Sequence, residues 1–114
     1  MNAVVREGNT IQLNCSTNLT VPVIWDYIDS AGIPVTIFRA DGEIIESFQP
    51  NFSVRRDEAG TYNLVIRNVS LSHGGTYRCI DDRGHGYGGR ELDKDRLAGL
   101  WDEAEVVIIG KYCT

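Results

Sequence analysis

With 114 residues the chain has room for one compact domain around one core, and too little for two. Its 42% apolar and 24% charged content suits a folded soluble domain, and 12 Gly beside 1 Met favours many turns over long helices. The 11 Lys and Arg against 16 Asp and Glu leave a net charge of -5, which argues against nucleic acid and anionic membrane surfaces as partners.

Taken in chain order, short apolar segments alternate with turn residues. Ile11, Leu13 and Cys15 alternate with Gln12 and Asn14, which predicts a strand with one buried and one wet face. Val23 to Ile28 and Val35 to Phe38 are more continuously apolar, as expected for strands covered on both faces or with one face meant for a partner. Leu64 and Ile66 alternate with Asn63 and Arg67, and Val106 to Ile109 forms another continuously apolar run with the same two readings, cover on both faces or one face meant for a partner. Gly8, Pro22, Gly32, Pro34, Gly42, Pro50, Gly60, Gly74 and Gly75 punctuate these segments. No stretch before residue 90 keeps a helical period for three turns, so the expected fold is all-β, with a sandwich as the leading architecture. No apolar run approaches the roughly 18 residues of a membrane-spanning helix, and the N-terminus lacks the apolar stretch of a secretory signal.

The segment from Asp81 to Glu103 is 23 residues long with little strand character, so it reads as a functional or mobile loop. It carries seven acidic and four basic residues. Leu97, Leu100 and Trp101 have helical spacing, weakened by Gly99, while Tyr87 and Trp101 are rigid aromatic anchors of the kind binding loops use. The alternative is a solvated loop tucked onto the domain.

Asn14, Asn18, Asn51 and Asn68 each stand two positions before Ser or Thr with no intervening Pro, the acceptor pattern for N-glycosylation, and four such sites exceed the chance expectation from composition. Asn14 is the weakest, because Cys15 occupies the middle position. Three cysteines, Cys15, Cys79 and Cys113, fit one intrachain disulfide and one left over. Together these features imply an extracellular protein. No two cysteines are close in sequence, so a zinc site is not expected, and neither is a calcium loop at Asp93 and Asp95, because Leu97 breaks the pattern. Nor is there a nucleophile motif, so neither an enzyme nor a cofactor is expected.

Cys15 at the end of an alternating strand, Trp25 ten residues later, and the run Gly75, Thr76, Tyr77, Arg78, Cys79 resemble the immunoglobulin superfamily. The likeness extends over nearly the whole chain, residues 1–114 as one domain. It implies a Greek-key sandwich with Cys15 bridged to Cys79, and with Trp25, Tyr77, Leu64 and Ile66 in the core. Strand B would be Ile11 to Cys15, C Val23 to Ile28, E Tyr62 to Ile66, F Thr76 to Ile80 and G Glu105 to Ile109. The 63 residues between Cys15 and Cys79 leave roughly 13 per strand if five strands intervene, nearer the usual spacing than three strands would give. That implies the variable type, with C′ at Val35 to Phe38, C″ near Ile44 to Phe48, and sheets ABED and GFCC′C″. Where this type usually pairs Arg with Asp, Asn51 and His73 stand, so either an Asn–His hydrogen bond or a looser corner is expected.

If Trp25 and Cys79 point inward, the pleat sends Ile24, Asp26, Ile28, Arg78 and Ile80 outward. This predicts an apolar face with a central ion pair, either bound by a protein ligand or a second copy, or covered by the F–G loop. The family likeness implies an extracellular recognition or adhesion module of an immune-type receptor, using GFCC′C″ and the F–G loop, with Tyr87 and Trp101 in the contact. Alternatives are a secreted molecule binding carbohydrate or microbial surfaces, and a structural spacer domain in a longer ectodomain. Cys113 is the candidate interchain cysteine.

Overall fold

The structure is a computed structural model that describes residues 2–16, 22–29, 31–57, 60–81 and 101–110. Among the described residues there are eight strands: β1 Asn2–Arg6, β2 Ile11–Leu13, β3 Val23–Ile28, β4 Pro34–Phe38, β5 Phe52–Arg56, β6 Tyr62–Ile66, β7 Gly75–Asp81 and β8 Trp101–Ile109. They form a five-stranded sheet in the order β1-β8-β7-β3-β4 and a three-stranded sheet in the order β2-β6-β5. In the letters used above, these are A, G, F, C and C′ facing B, E and D. Among the described residues no helix is long and apolar enough to cross a membrane.

The core lies between the sheets. Leu13, Trp25, Ile37, Leu64, Ile66, Val69 and Tyr77 are essentially inaccessible there, around a Cys15–Cys79 disulfide whose α-carbons are 6.6 Å apart. Trp25 sits among them because its indole Nε1 donates to the carbonyl of Tyr62, at 2.7 Å, so its one polar group is satisfied across the sandwich. Tyr77 Oη likewise donates to the carbonyl of His73, at 2.6 Å, and this bond ties the β6–β7 connection to β7.

Several expectations are corrected. The first strand joins the other sheet: β1 runs parallel to β8, with Asn2 opposite Glu105 and Arg6 opposite Ile109. Gly8, at φ 91°, turns the chain across to β2, and its N–H is accepted by the carbonyl of Val69. There is also no C″ strand. Ile44 bridges Phe38 and Ile45 N–H donates to Ile37, but Glu46–Phe48 then curls into a single 3-10 turn. Phe48 meets the ring of Phe52 edge-on with centroids 5.2 Å apart, so the apolar side chain is partly buried by folding back, not by extending the sheet. Strand β2 ends at Leu13, two residues early, because the side chain of Asn63 accepts Cys15 N–H in place of a ladder bond. Strand β8 begins at Trp101, opposite Ile80, so part of the expected loop is strand.

Candidate functional site

The pleat of β3 and β7 places Ile24 opposite Ile80 and Asp26 opposite Arg78, on the face away from the core. Arg78 Nη2 donates to Asp26 Oδ2 at 2.7 Å. Of the two expected alternatives, an open face for a partner and a covered one, the open face is corrected and the covered one fits: Ile24 is 2% and Ile80 0% exposed, and Asp26 and Arg78 are buried with them. The isoleucines are withdrawn from water within the chain itself, and the carboxylate and guanidinium neutralise one another, which makes their burial tolerable. Ile28, opposite Thr76, is the one partly accessible isoleucine of the five-residue set.

Exposed apolar groups lie elsewhere on the five-stranded sheet. Ile33 projects, 59% exposed, from the β3–β4 turn. Asp29 Oδ1 fixes that turn by accepting the N–H groups of Ala31 and Ile33 at 2.9 and 2.8 Å, and Gly32 supplies its positive φ. Val4, Val107 and Ile109 are exposed along β1 and β8. Sequence reasoning missed Ile33 and Val4, whereas Val107 and Ile109 lie in an apolar run it had singled out; the apolar Ile33 set against turn residues Gly32 and Pro34 was the available signal.

At the end of the sandwich where β2, β5 and β7 finish and β3, β6 and β8 begin, two clefts open. One lies between Val23, Phe38, Gly42, Arg56 and Tyr62. The Arg56 guanidinium carbon stands 4.2 Å from the centroid of the Tyr62 ring, and its Nη2 donates to Tyr62 Oη at 2.8 Å. The cation is thereby held on an aromatic shelf. The other cleft is polar, lined by Asn14, Ser16, Thr61, Asn63 and Asp102. Asn18, Tyr87 and Cys113 lie outside the described residues.

The opposite end holds the β6–β7 corner. His73 Nδ1 accepts the backbone N–H of Ser70 at 2.9 Å and caps the short turn Leu71–His73. The Asn–His bond does not form: Asn51 Nδ2 donates instead to the carbonyl of Arg67, at 2.9 Å. The His73 ring packs edge-on against Phe52, and burial lowers its pKa below the ordinary 6.5. Burial, and secondarily the neighbouring Tyr27, raises the pKa of Tyr77. Asn14, Asn51 and Asn68 all border the three-stranded sheet, just after β2, before β5 and after β6 respectively.

No curated protein matches the chain in sequence. In solved structures, the first immunoglobulin domain of the mouse polymeric immunoglobulin receptor is similar with a TM-score of 0.73 at 13% identity, covering 99% of this chain and 93% of that one. The homodimeric first immunoglobulin domain of RIG-5 has a TM-score of 0.68 at 16% identity, with 93% and 87% covered. The first domain of Dpr1, solved bound to that of DIP-eta, has 0.69 at 14%, with 96% and 89% covered. These likenesses concern the fold. The family model of the immunoglobulin V-set domain matches residues 2–93, which carry the bridged cysteines, the buried Trp25 and the Tyr77 corner, and on that match the chain belongs to the V-set immunoglobulin family.

Proposed function

We propose that this domain is an extracellular recognition module that binds a protein ligand through the loop end of the sandwich and the adjoining β7–β3–β4 face. The observation that carries this reading is the placement of the sequons: Asn14, Asn51 and Asn68 all flank the three-stranded sheet. Glycans there would screen one sheet, with the polar cleft that Asn14 lines, and leave the other sheet, the cleft at Arg56 and Ile33 open to a macromolecule. The disulfide supports an oxidising compartment. The homodimer of RIG-5 and the Dpr1–DIP-eta complex are domains of the same fold that assemble with protein partners, and lend the reading support. Membership of the V-set family supports binding rather than catalysis.

The test is a binding screen of the glycosylated domain against cell-surface ectodomains and glycans, repeated with Ile28→Asp, Ile33→Asp and Arg56→Ala. Loss of binding in these variants, with the fold intact, is the expected result. Binding that survives all three but fails with Arg55→Glu on β5 would move the site to the three-stranded sheet and overturn the reading. The polar cleft at Asn14, Ser16, Thr61, Asn63 and Asp102 favours a second reading, a carbohydrate ligand, since hydroxyl and amide groups recognise sugars by hydrogen bonds. Glycan hits abolished by Asn63→Ala would select it.

A further inference from the structure

We propose that β1 is an interface through which two copies of this chain join edge to edge, about a two-fold axis at Val4, into one continuous sheet. The inference does not rest on the ligand surface above, because β1 lies at the far edge of the five-stranded sheet from β4.

The backbone sets the register. Glu7 N–H donates to the carbonyl of Ile109 at 2.7 Å, so by the alternation of a strand the polar groups of Val5 and Ala3 also point to β8. Those of Asn2, Val4 and Arg6 therefore point away, toward the open edge. Antiparallel pairing centred on Val4 lets Val4 exchange both backbone bonds with the partner's Val4, while Asn2 does the same with the partner's Arg6.

The side chains agree with that register. Val4 is 67% exposed and its β8 neighbour Val107 is 48% exposed, on the same outer face. The two-fold operation lines up Val107, Val4, the partner's Val4 and the partner's Val107 in one apolar row across four strands. The next row holds Glu105, Asn2 and the partner's Arg6. Arg6 thus comes within two strand spacings, about 10 Å at the backbone, of the opposing Glu105, near enough for its long side chain to reach across Asn2. Within one chain Arg6 lies opposite Ile109 and Asn2 lies opposite Glu105, so Arg6 and Glu105 are four residues apart along the pair. Among the described residues neither is in a salt bridge. Symmetry forms the complementary charge contact twice.

Among the described residues the other sheet edges are guarded and β1 is not. Strand β4 starts with Pro34 and is met by Ile44 and Ile45, β5 ends in exposed Arg55 and Arg56, and β2 has three residues. Between Asn2 and Arg6 the sequence Ala3, Val4, Val5 has no proline, charge or bulge to prevent pairing. A joined edge of this length is a small interface, so the dimer is of the weak, concentration-dependent kind.

The experiment is light scattering behind size exclusion on the full chain over a concentration series reaching about 1 mM, where a millimolar dissociation constant would register. Amide exchange is followed on the same samples. The wild type is expected to shift from monomer to dimer, and the Val4 amide to gain protection on dimerisation while the Val5 amide is protected throughout. Val4→Lys should weaken association at least tenfold. Arg6→Glu and Glu105→Arg should each weaken it severalfold, and the double reversal should restore it, so the charge pair remains a test even if Val4→Lys unfolds. Ile28→Asp and Cys113→Ser should leave the dimer unchanged. A wild type that stays monomeric, a Val4 amide equally exposed at both ends of the series, no rescue in the double reversal, or a dimer abolished by Ile28→Asp or Cys113→Ser would each overturn the proposal.

Discussion

The ring of Tyr27 lies so close to Gly75 that a Cβ added to the glycine would stand 2.7 Å from the tyrosine oxygen and 2.9 Å from its ring. Gly75 also has φ 139°, a conformation that side chains rarely adopt. Tyr27 cannot easily retreat, because its hydroxyl donates to the carbonyl of Gly74 at 2.9 Å and its ring packs edge-on against Tyr77. Gly75→Ala should therefore cost about 2–4 kcal/mol, from backbone strain and overpacking together. Gly8 has φ 91° with nothing near its absent side chain, so Gly8→Ala should cost about 1 kcal/mol, the backbone share alone. Urea denaturation of the two variants should give that order, and equal losses would show that the Tyr27 contact is immaterial.

The buried pair of Asp26 and Arg78 should respond asymmetrically to substitution. Arg78→Leu alone leaves a buried carboxylate without this guanidinium and should cost about 3–5 kcal/mol, whereas Asp26→Leu with Arg78→Leu should recover most of that loss. A complete double-mutant cycle by chemical denaturation measures the coupling. Additive losses would contradict a mutual role.

Protonation of His73 opposes folding twice: burial disfavours the cation, and Nδ1 loses its capacity to accept from Ser70. Its folded pKa is lowered below 6.5, so the unfolded state binds its proton first as pH falls. Stability contributed by this group is therefore complete above the unfolded value and is lost as pH drops through 6.5 toward the folded value. Denaturation midpoints between pH 8 and 5, compared for wild type and His73→Gln, should show this loss in the wild type, and an NMR titration should place His73 below its ordinary 6.5. A raised His73 pKa would reverse the sign.

Reduction of Cys15–Cys79 frees a loop spanning 64 positions, and the loss of that constraint should destabilise the domain by roughly 4 kcal/mol. Peptide mapping without reductant should recover this pair, and the reduced domain should lose its near-ultraviolet dichroism at a lower urea concentration.

Much of this fold could be read from the chain. Strands β3 and β6 have the bounds expected for C and E, because apolar patterning and flanking turn residues agree there. The N-terminal part of β8 was hidden: Asp102 and Glu103 read as loop, and only pairing with Cys79 and Arg78 makes them strand. Nor does a five-residue pattern such as Asn2–Arg6 say which sheet it will join, since either would bury Ala3 and Val5. At the site, pleat parity put Ile24, Asp26, Arg78 and Ile80 on one face correctly. Their burial was legible only as one of two alternatives, because alternation gives a side chain's direction and says nothing of what lies over it.

The parallel pairing of β1 with β8 has a mechanical consequence. Asn2 opens β1 beside Glu105, and β8 ends at Ile109 beside Arg6, so tension applied between Asn2 and Ile109 runs along the strands. It pulls the two past each other in shear instead of peeling them apart. All five registered pairs, from Asn2–Glu105 to Arg6–Ile109, then bear the load together, and none can yield before its neighbours. A domain strung between such ends resists stretching at the seam where its first and last strands meet.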